Sequence, residues 1–126
     1  MKKLLLVVAF SVALFANHIN WLGSYNKALQ KAKNQGKPLM VLLIKNNCKM
    51  CKDIVYKAFS NQDYIKDLNK KYIAVIVNFN NEDYPIELFY TTLFPTLFFV
   101  DAKSETFIKE PWYQESIINN LKDKLF

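Results

Sequence analysis

Cys48-Lys49-Met50-Cys51 contains the only two cysteines of the chain, two residues apart. A strand-like apolar run, Leu39 to Ile44, precedes them. A helix-like stretch, Cys51 to Phe59, follows, with apolar residues at Cys51, Ile54, Val55, Ala58 and Phe59. That order predicts Cys48 at a helix N-terminus, where free N–H groups and the helix macrodipole favour thiolate over thiol. Cys51, about one turn on, is then placed to attack a mixed disulfide formed at Cys48. The pattern points to dithiol exchange, with Cys48 attacking and Cys51 resolving. Lys45, Lys49 and Lys52 add positive charge that should lower the Cys48 pKa further.

Other readings of the pair are weaker. A structural disulfide across two residues closes too small a loop to restrict the unfolded chain much. Two thiolates and the Met50 thioether are soft ligands suited to Cu(I), which makes a copper carrier the alternative. No histidine or second methionine cluster completes such a site, and Met50 is expected to face solvent, so no metal is assigned. A redox-silent binding module would not need the intact pair.

The N-terminal segment indicates the compartment. Met1-Lys2-Lys3 is a short positive start, and Leu4 to Ala16 is apolar except for Ser11. Ala16 gives a small residue at a cleavage point before polar Asn17-His18. This reads as a secretory signal peptide over residues 1–16, with one domain over 17–126. The apolar stretch falls short of the roughly 20 residues that span a bilayer, so no stable membrane insertion is expected after cleavage. The destination is the periplasm, where disulfides persist. Loss of Lys2 and Lys3 takes the net charge from +6 to +4. The remaining lysines are dispersed, which excludes a nucleic-acid stripe. There is no arginine and there are 13 asparagines, a bias typical of AT-rich coding. No flavin or nucleotide motif appears, so no cofactor is expected. His18 is expected in a disordered start.

The elements that must hold the cysteines alternate. Ser24 can cap a helix with Tyr25, Ala28, Leu29 and Ala32 on one face, and Gly36-Lys37-Pro38 ends it. Leu39 to Ile44 is a buried strand. Asn61-Gln62-Asp63 starts a helix with Tyr64, Ile65 and Leu68 on one side. Tyr72 to Phe79 and Thr96 to Val100 read as further strands, with a helical turn from Asp83 to Tyr90 between them. A tight turn over Asp101 to Ser104 leads to a predicted fourth strand, Glu105 to Lys109. Gln114 to Leu125 closes as a helix with Ile117, Ile118, Leu121 and Leu125 inward. The fold class is α/β, a mixed sheet of about four strands with helices on both faces. Trp112 and Tyr113 are expected to pack beside the last strand.

From Trp21 to Leu125 the chain resembles the thioredoxin-like proteins, in particular the exported forms that include the C-terminal domain of the bacterial transmembrane thiol:disulfide interchange protein. Trp21, Ala28-Leu29, Ala32-Lys33 and Gly36-Lys37-Pro38 are similar to that family's opening helix and entry into the central strand. Cys48 to Lys52 matches its active-site motif with a trailing lysine. Phe94-Pro95-Thr96 matches its proline loop. The resemblance implies a substrate-binding role for Phe94, Pro95 and Thr96, a cis bond before Pro95, and a Phe94 ring that shapes the groove. It also implies disulfide reductase activity on exported proteins, with protein thiols and disulfides as substrates and a membrane or periplasmic thiol as electron donor. The absence of the Pro-His pair of strong oxidants points to the reducing side.

Several positions depart from the family. Asn47 replaces a common tryptophan before the first cysteine. Leu42 stands where a buried carboxylate is usual, and Ile76 where its lysine partner is usual. Pro111-Trp112-Tyr113 replaces glycines near the last strand.

Overall fold

The computed structural model describes residues 17–126. The expected signal peptide, 1–16, lies outside the described residues. Helix α1 spans Tyr25–Gln35, β1 Leu39–Ile44, α2 Lys49–Phe59, α3 Gln62–Lys71, β2 Ile73–Asn78, β3 Thr96–Val100, β4 Trp112–Tyr113 and α4 Ser116–Lys122. The strands form one mixed sheet in the order β2-β1-β3-β4. β1 pairs parallel to β2 from Leu39↔Ile73 to Ile44↔Asn78. It pairs antiparallel to β3 from Leu39↔Val100 to Leu43↔Thr96. This is a thioredoxin-like α/β arrangement.

β1 is central because its sequence, LMVLLI, suits burial on both faces. Alternation splits its side chains between two cores. Leu39, Val41 and Leu43 join Val75, Val77, Phe98 and Val100 under α1, through Tyr25, Ala28 and Ala32. Met40 and Leu42 join Ala74, Leu97 and Phe99 on the opposite face, under Ile54 and Ala58 of α2, Ile65 and Leu68 of α3, and Ile117 and Leu121 of α4. Burying each such side chain stabilises the fold by about 1.5–3 kcal/mol, so β1, wedged between both layers, anchors the cysteine turn at its C-terminal end.

The helix ends follow local chemistry. Ser24 Oγ accepts from Lys27 N, and Gly36 takes the left-handed conformation at φ 64° that closes α1. Asn61 Oδ1 accepts from Asp63 N at the head of α3.

Three expectations change. The fourth strand is Trp112–Tyr113, paired with Thr96 and Leu97, and not Glu105 to Lys109, of which only Phe107 makes a bridge, to Val100. The cause lies in the turn before it. Asp101 Oδ2 accepts from the backbone N–H and hydroxyl of Ser104. Glu105 is then forced to φ 52°, with its carboxylate accepting from Tyr25 O–H at 2.9 Å. The last helix is shorter than expected, and Leu125 lies outside it and exposed. The segment after Asp83 makes the expected helical turn, in which Phe89 N donates to Pro85 O. The start of the described chain is held in place: Gln62 exchanges hydrogen bonds with the backbone of Asn17, and Asn69 with that of His18 and Asn20.

Candidate active site

The cysteine pair sits where β1 gives way to α2. Chain direction reverses through Lys45, Asn46 and Asn47, and Asn47 takes φ 53°. Asparagine tolerates this left-handed conformation better than most residues, which accounts for its use before the helix. Asn46 N donates to Asn80 Oδ1 at 2.8 Å, Asn78 Nδ2 donates to Asn46 Oδ1 at 2.8 Å, and Asn80 N donates to Asn78 Oδ1 at 2.9 Å. The end of β2 therefore fastens the turn that delivers Cys48.

Cys48 is the N-cap of α2, and its Sγ accepts from Cys51 N at 3.0 Å. The helix begins at Lys49, two residues earlier than its apolar pattern indicates. An N–H aimed at this sulfur and the positive end of the helix both stabilise a thiolate when the pair is reduced. In this structure Cys48 and Cys51 are joined as a disulfide, with Cα atoms 5.2 Å apart. Cys48 is 9% exposed and Cys51 4%. The first cysteine is the more accessible, but by less than the sequence indicates, because Phe94 and the α1-side core close around it.

The proline loop lies beside the pair. With Leu43 opposite Thr96, the register carries Phe94 and Pro95 past the end of β1, where the cysteine turn begins. The Phe94–Pro95 peptide bond is cis. Phe94 shares a buried cluster with Cys48 and Cys51. Its ring does not shape an open groove: it is largely buried, packs edge-on against Phe79 at 5.4 Å, and lies under Lys45 Nζ at 5.1 Å. The ring packs inward, beside Cys48 in the α1-side core. Thr96 is fully buried, and its hydroxyl donates to Leu93 O.

The three lysines do not form one cluster around the sulfurs. Lys45 and Lys52 line a groove of about 470 Å³ together with both cysteines. Lys49 lines a separate depression between α2 and α4, with Met50, Asp53 and Glu115. Met50 is therefore directed away from the cysteine groove, and the Cu(I) alternative gains nothing from its thioether. The groove floor is Leu42, Ile44, Val55 and Ile76. Leu42 and Ile76 are register partners on β1 and β2, so the two family departures meet behind Cys51 and make that wall apolar. Trp112 is buried against Phe99 at 4.6 Å, in the packing role expected of it.

One neighbour of the site had no sequence signal. Gln114 follows β4 at φ 49°, its N–H donates to Pro95 O, and its Nε2 donates to Phe94 O at 3.3 Å. A left-handed glutamine cannot be read from residue type. Among the described residues no helix is long and apolar enough to cross a membrane, and no group of three His, Cys, Asp or Glu side chains converges.

Comparison with known proteins agrees with this geometry. A DsbH oxidoreductase structure superposes with a TM-score of 0.67 at 20% identity, covering 87% of this chain and 86% of the other. A thioredoxin from Thermus thermophilus gives 0.69 at 16% identity, covering 86% and 85%. A disulphide isomerase from Xylella fastidiosa Temecula1 gives 0.56 at 19% identity, covering 86% and 88%. These likenesses are of fold. No curated protein sequence matches the chain. The thioredoxin-like family profile matches residues 20–102, well over half of the chain, and with them the strand, the cysteine pair and the proline loop. The chain belongs to the thioredoxin-like family.

Proposed function

We propose that this protein is a thiol–disulfide oxidoreductase that reduces disulfides in exported proteins, with Cys48 as the attacking residue and Cys51 as the resolving one. The observation that carries the reading is the N-capping sulfur: Cys48 Sγ takes the Cys51 N–H at the head of α2, within a family whose fold presents this pair beside a proline loop. The names of the similar structures, an oxidoreductase and a disulphide isomerase, support the same class of chemistry.

The reaction balances over two exchanges. In the reduced protein the Cys48 thiolate attacks one sulfur of a substrate disulfide. A Cys48–substrate disulfide forms and the other substrate sulfur leaves as a thiolate, which takes a proton. Cys51, as thiolate, then attacks Cys48 Sγ. The Cys48–Cys51 disulfide seen here forms, and the second substrate thiolate leaves. Two electrons pass to the substrate, and an external dithiol must return them. Lys45 and Lys52, lining the cysteine groove, favour the thiolate, while Lys49 acts from the opposite side of the helix start. Phe94 and Pro95 form the edge along which an extended substrate lies, as an added strand would, with Thr96 bracing that edge from beneath rather than touching the substrate. The positive start and apolar run of residues 1–16 support export to the periplasm. The electron donor is then a membrane or periplasmic thiol.

The purified protein should accelerate dithiothreitol-driven reduction of a protein disulfide. Cys48→Ser and Cys51→Ala should both bring turnover to background. Only Cys51→Ala should retain a substrate mixed disulfide, detected by mass. An inert wild type that binds Cu(I) far more tightly than a simple dithiol peptide would replace this reading with copper delivery.

A further inference from the structure

The backbone of the proline loop is almost fully occupied from within the chain. Leu93 N donates to Thr91 Oγ1 at 3.0 Å. Leu93 O accepts from the Thr91 and Thr96 hydroxyls. Pro95 O accepts from Gln114 N at 2.9 Å. Phe94 O accepts from Gln114 Nε2 at 3.3 Å. Among the described residues, Phe94 N–H makes no hydrogen bond.

An added strand pairs with a residue through both its N–H and its C=O. At Phe94 the donor is free and one of the two acceptor sites is occupied, by a side-chain amide. Chemically, that amide N–H stands in for the main-chain N–H of a peptide. The conformation of Gln114 makes its identity informative. At φ 49° a residue with a Cβ is disfavoured and glycine is not. The hydrogen bond from Gln114 N to Pro95 O requires no particular side chain. The glutamine adds only the reach to Phe94 O.

We propose that Gln114 is a specificity-determining residue: its amide holds one acceptor site of the Phe94 carbonyl in the free protein and competes there with the main-chain N–H of an extended peptide. This rests on the oxidoreductase reading above. Gln114 would thereby tax substrates that bind through their main chain and leave small disulfides, which have none, unaffected. The bond is a neutral one and partly exposed to exchange with water, so its net worth sets the effect at about two- to tenfold in peptide affinity.

The test compares wild type with Gln114→Gly, which suits the backbone, and Gln114→Met, which keeps the length without the donor. Each is assayed on an extended peptide disulfide and on a small aromatic disulfide. The expected result is a KM for the peptide lowered about two- to tenfold, with kcat and small-disulfide turnover unchanged. With Gln114 retained, its side-chain amide resonance should move to a free-amide position when the peptide is trapped on Cys48 in the Cys51→Ala protein. That measurement does not depend on the folding of the Gln114 variants. A peptide KM that is unchanged or raised, or an amide resonance that stays put, overturns the role of Gln114 and leaves the thiol chemistry standing. A wild type inert on both disulfides overturns the oxidoreductase reading, and the Gln114 proposal with it.

Discussion

The loop that delivers Cys48 and the loop that delivers Pro95 are both irregular and both tied down by side-chain hydrogen bonds, yet the ties differ in kind. The cysteine loop is held by exposed asparagine amides from the end of β2: Asn46, Asn78 and Asn80 bond one another in water. The proline loop is braced from inside by Thr96, which is fully buried, with Thr91 beside it. Hydrogen bonds in water contribute little net stability, whereas breaking a buried one leaves a polar group without solvent. The difference indicates that the cysteine loop owes its place mainly to the packed disulfide and the helix cap. The proline loop depends on individual polar contacts. A redox pair whose covalent state changes with every cycle is thus set opposite a wall that need not change.

The most severe test of that contrast is Thr96→Val, which keeps the shape and removes the hydroxyl. Leu93 O then keeps only the Thr91 partner. The expected loss is about 0.5–1.5 kcal/mol of folding stability, the net worth of one hydrogen bond, read by urea denaturation, together with weaker peptide turnover. A loss below about 0.5 kcal/mol, within the range of ordinary surface substitutions, would mean the brace is incidental. Asn78→Ala tests the other side. It cuts two of the three asparagine bonds, yet the expected loss is only about 0.5–1 kcal/mol, the low end for an exposed site. Faster amide exchange at Asn46 and Asn80, with Leu93 unaffected, would confirm that the two loops are restrained independently.

The smallest effect is expected at the turn after β3, which serves as a control remote from the cysteines. Its Ser104 hydrogen bonds hold the Asp101 carboxyl below the usual carboxylate range. A carboxylate depressed in the folded state contributes stability that is complete above its unfolded pKa, about 3.9, and is lost as pH falls through its folded value. Asp101→Asn should therefore flatten the acid limb of the stability–pH curve slightly. Turnover at neutral pH should not change.

How far the site could be read from sequence depends on the range of the interactions. β1 and β3 were legible to the residue because each is a short unbroken apolar run. The cysteines were legible because their chemistry depends on a neighbouring strand and helix. The fourth strand was not. Glu105 to Lys109 has strand-like residues, but a left-handed Glu105 and a Tyr25 hydrogen bond from α1 limit its pairing to the single bridge of Phe107 to Val100. Trp112 and Tyr113 form the strand because Leu97 and Thr96 need partners, a requirement set far away in the chain. The burial of Phe94 likewise depends on room beside Cys48 and Phe79. His18 reads as loose because nothing near it in sequence binds it; its partner, Asn69, lies 51 residues on.

One detail at the margin of the sheet bears on how such a protein survives its own work. The outer side of β2 is engaged by a single residue: Leu22 N donates to Ala74 O, and Leu22 O accepts from Ile76 N. The opposite margin, β4, is only two residues long. Open sheet margins recruit any extended chain and seed aggregation, and short or covered ones do not. A thiol–disulfide oxidoreductase acting on exported proteins, as proposed above, would meet extended chains. One margin is engaged at its middle by Leu22 and the other is truncated to two residues, which shortens the open edge at both sides of the sheet. A single proline at position 22, lacking the N–H for Ala74, would remove one of the two hydrogen bonds by which Leu22 holds the β2 margin.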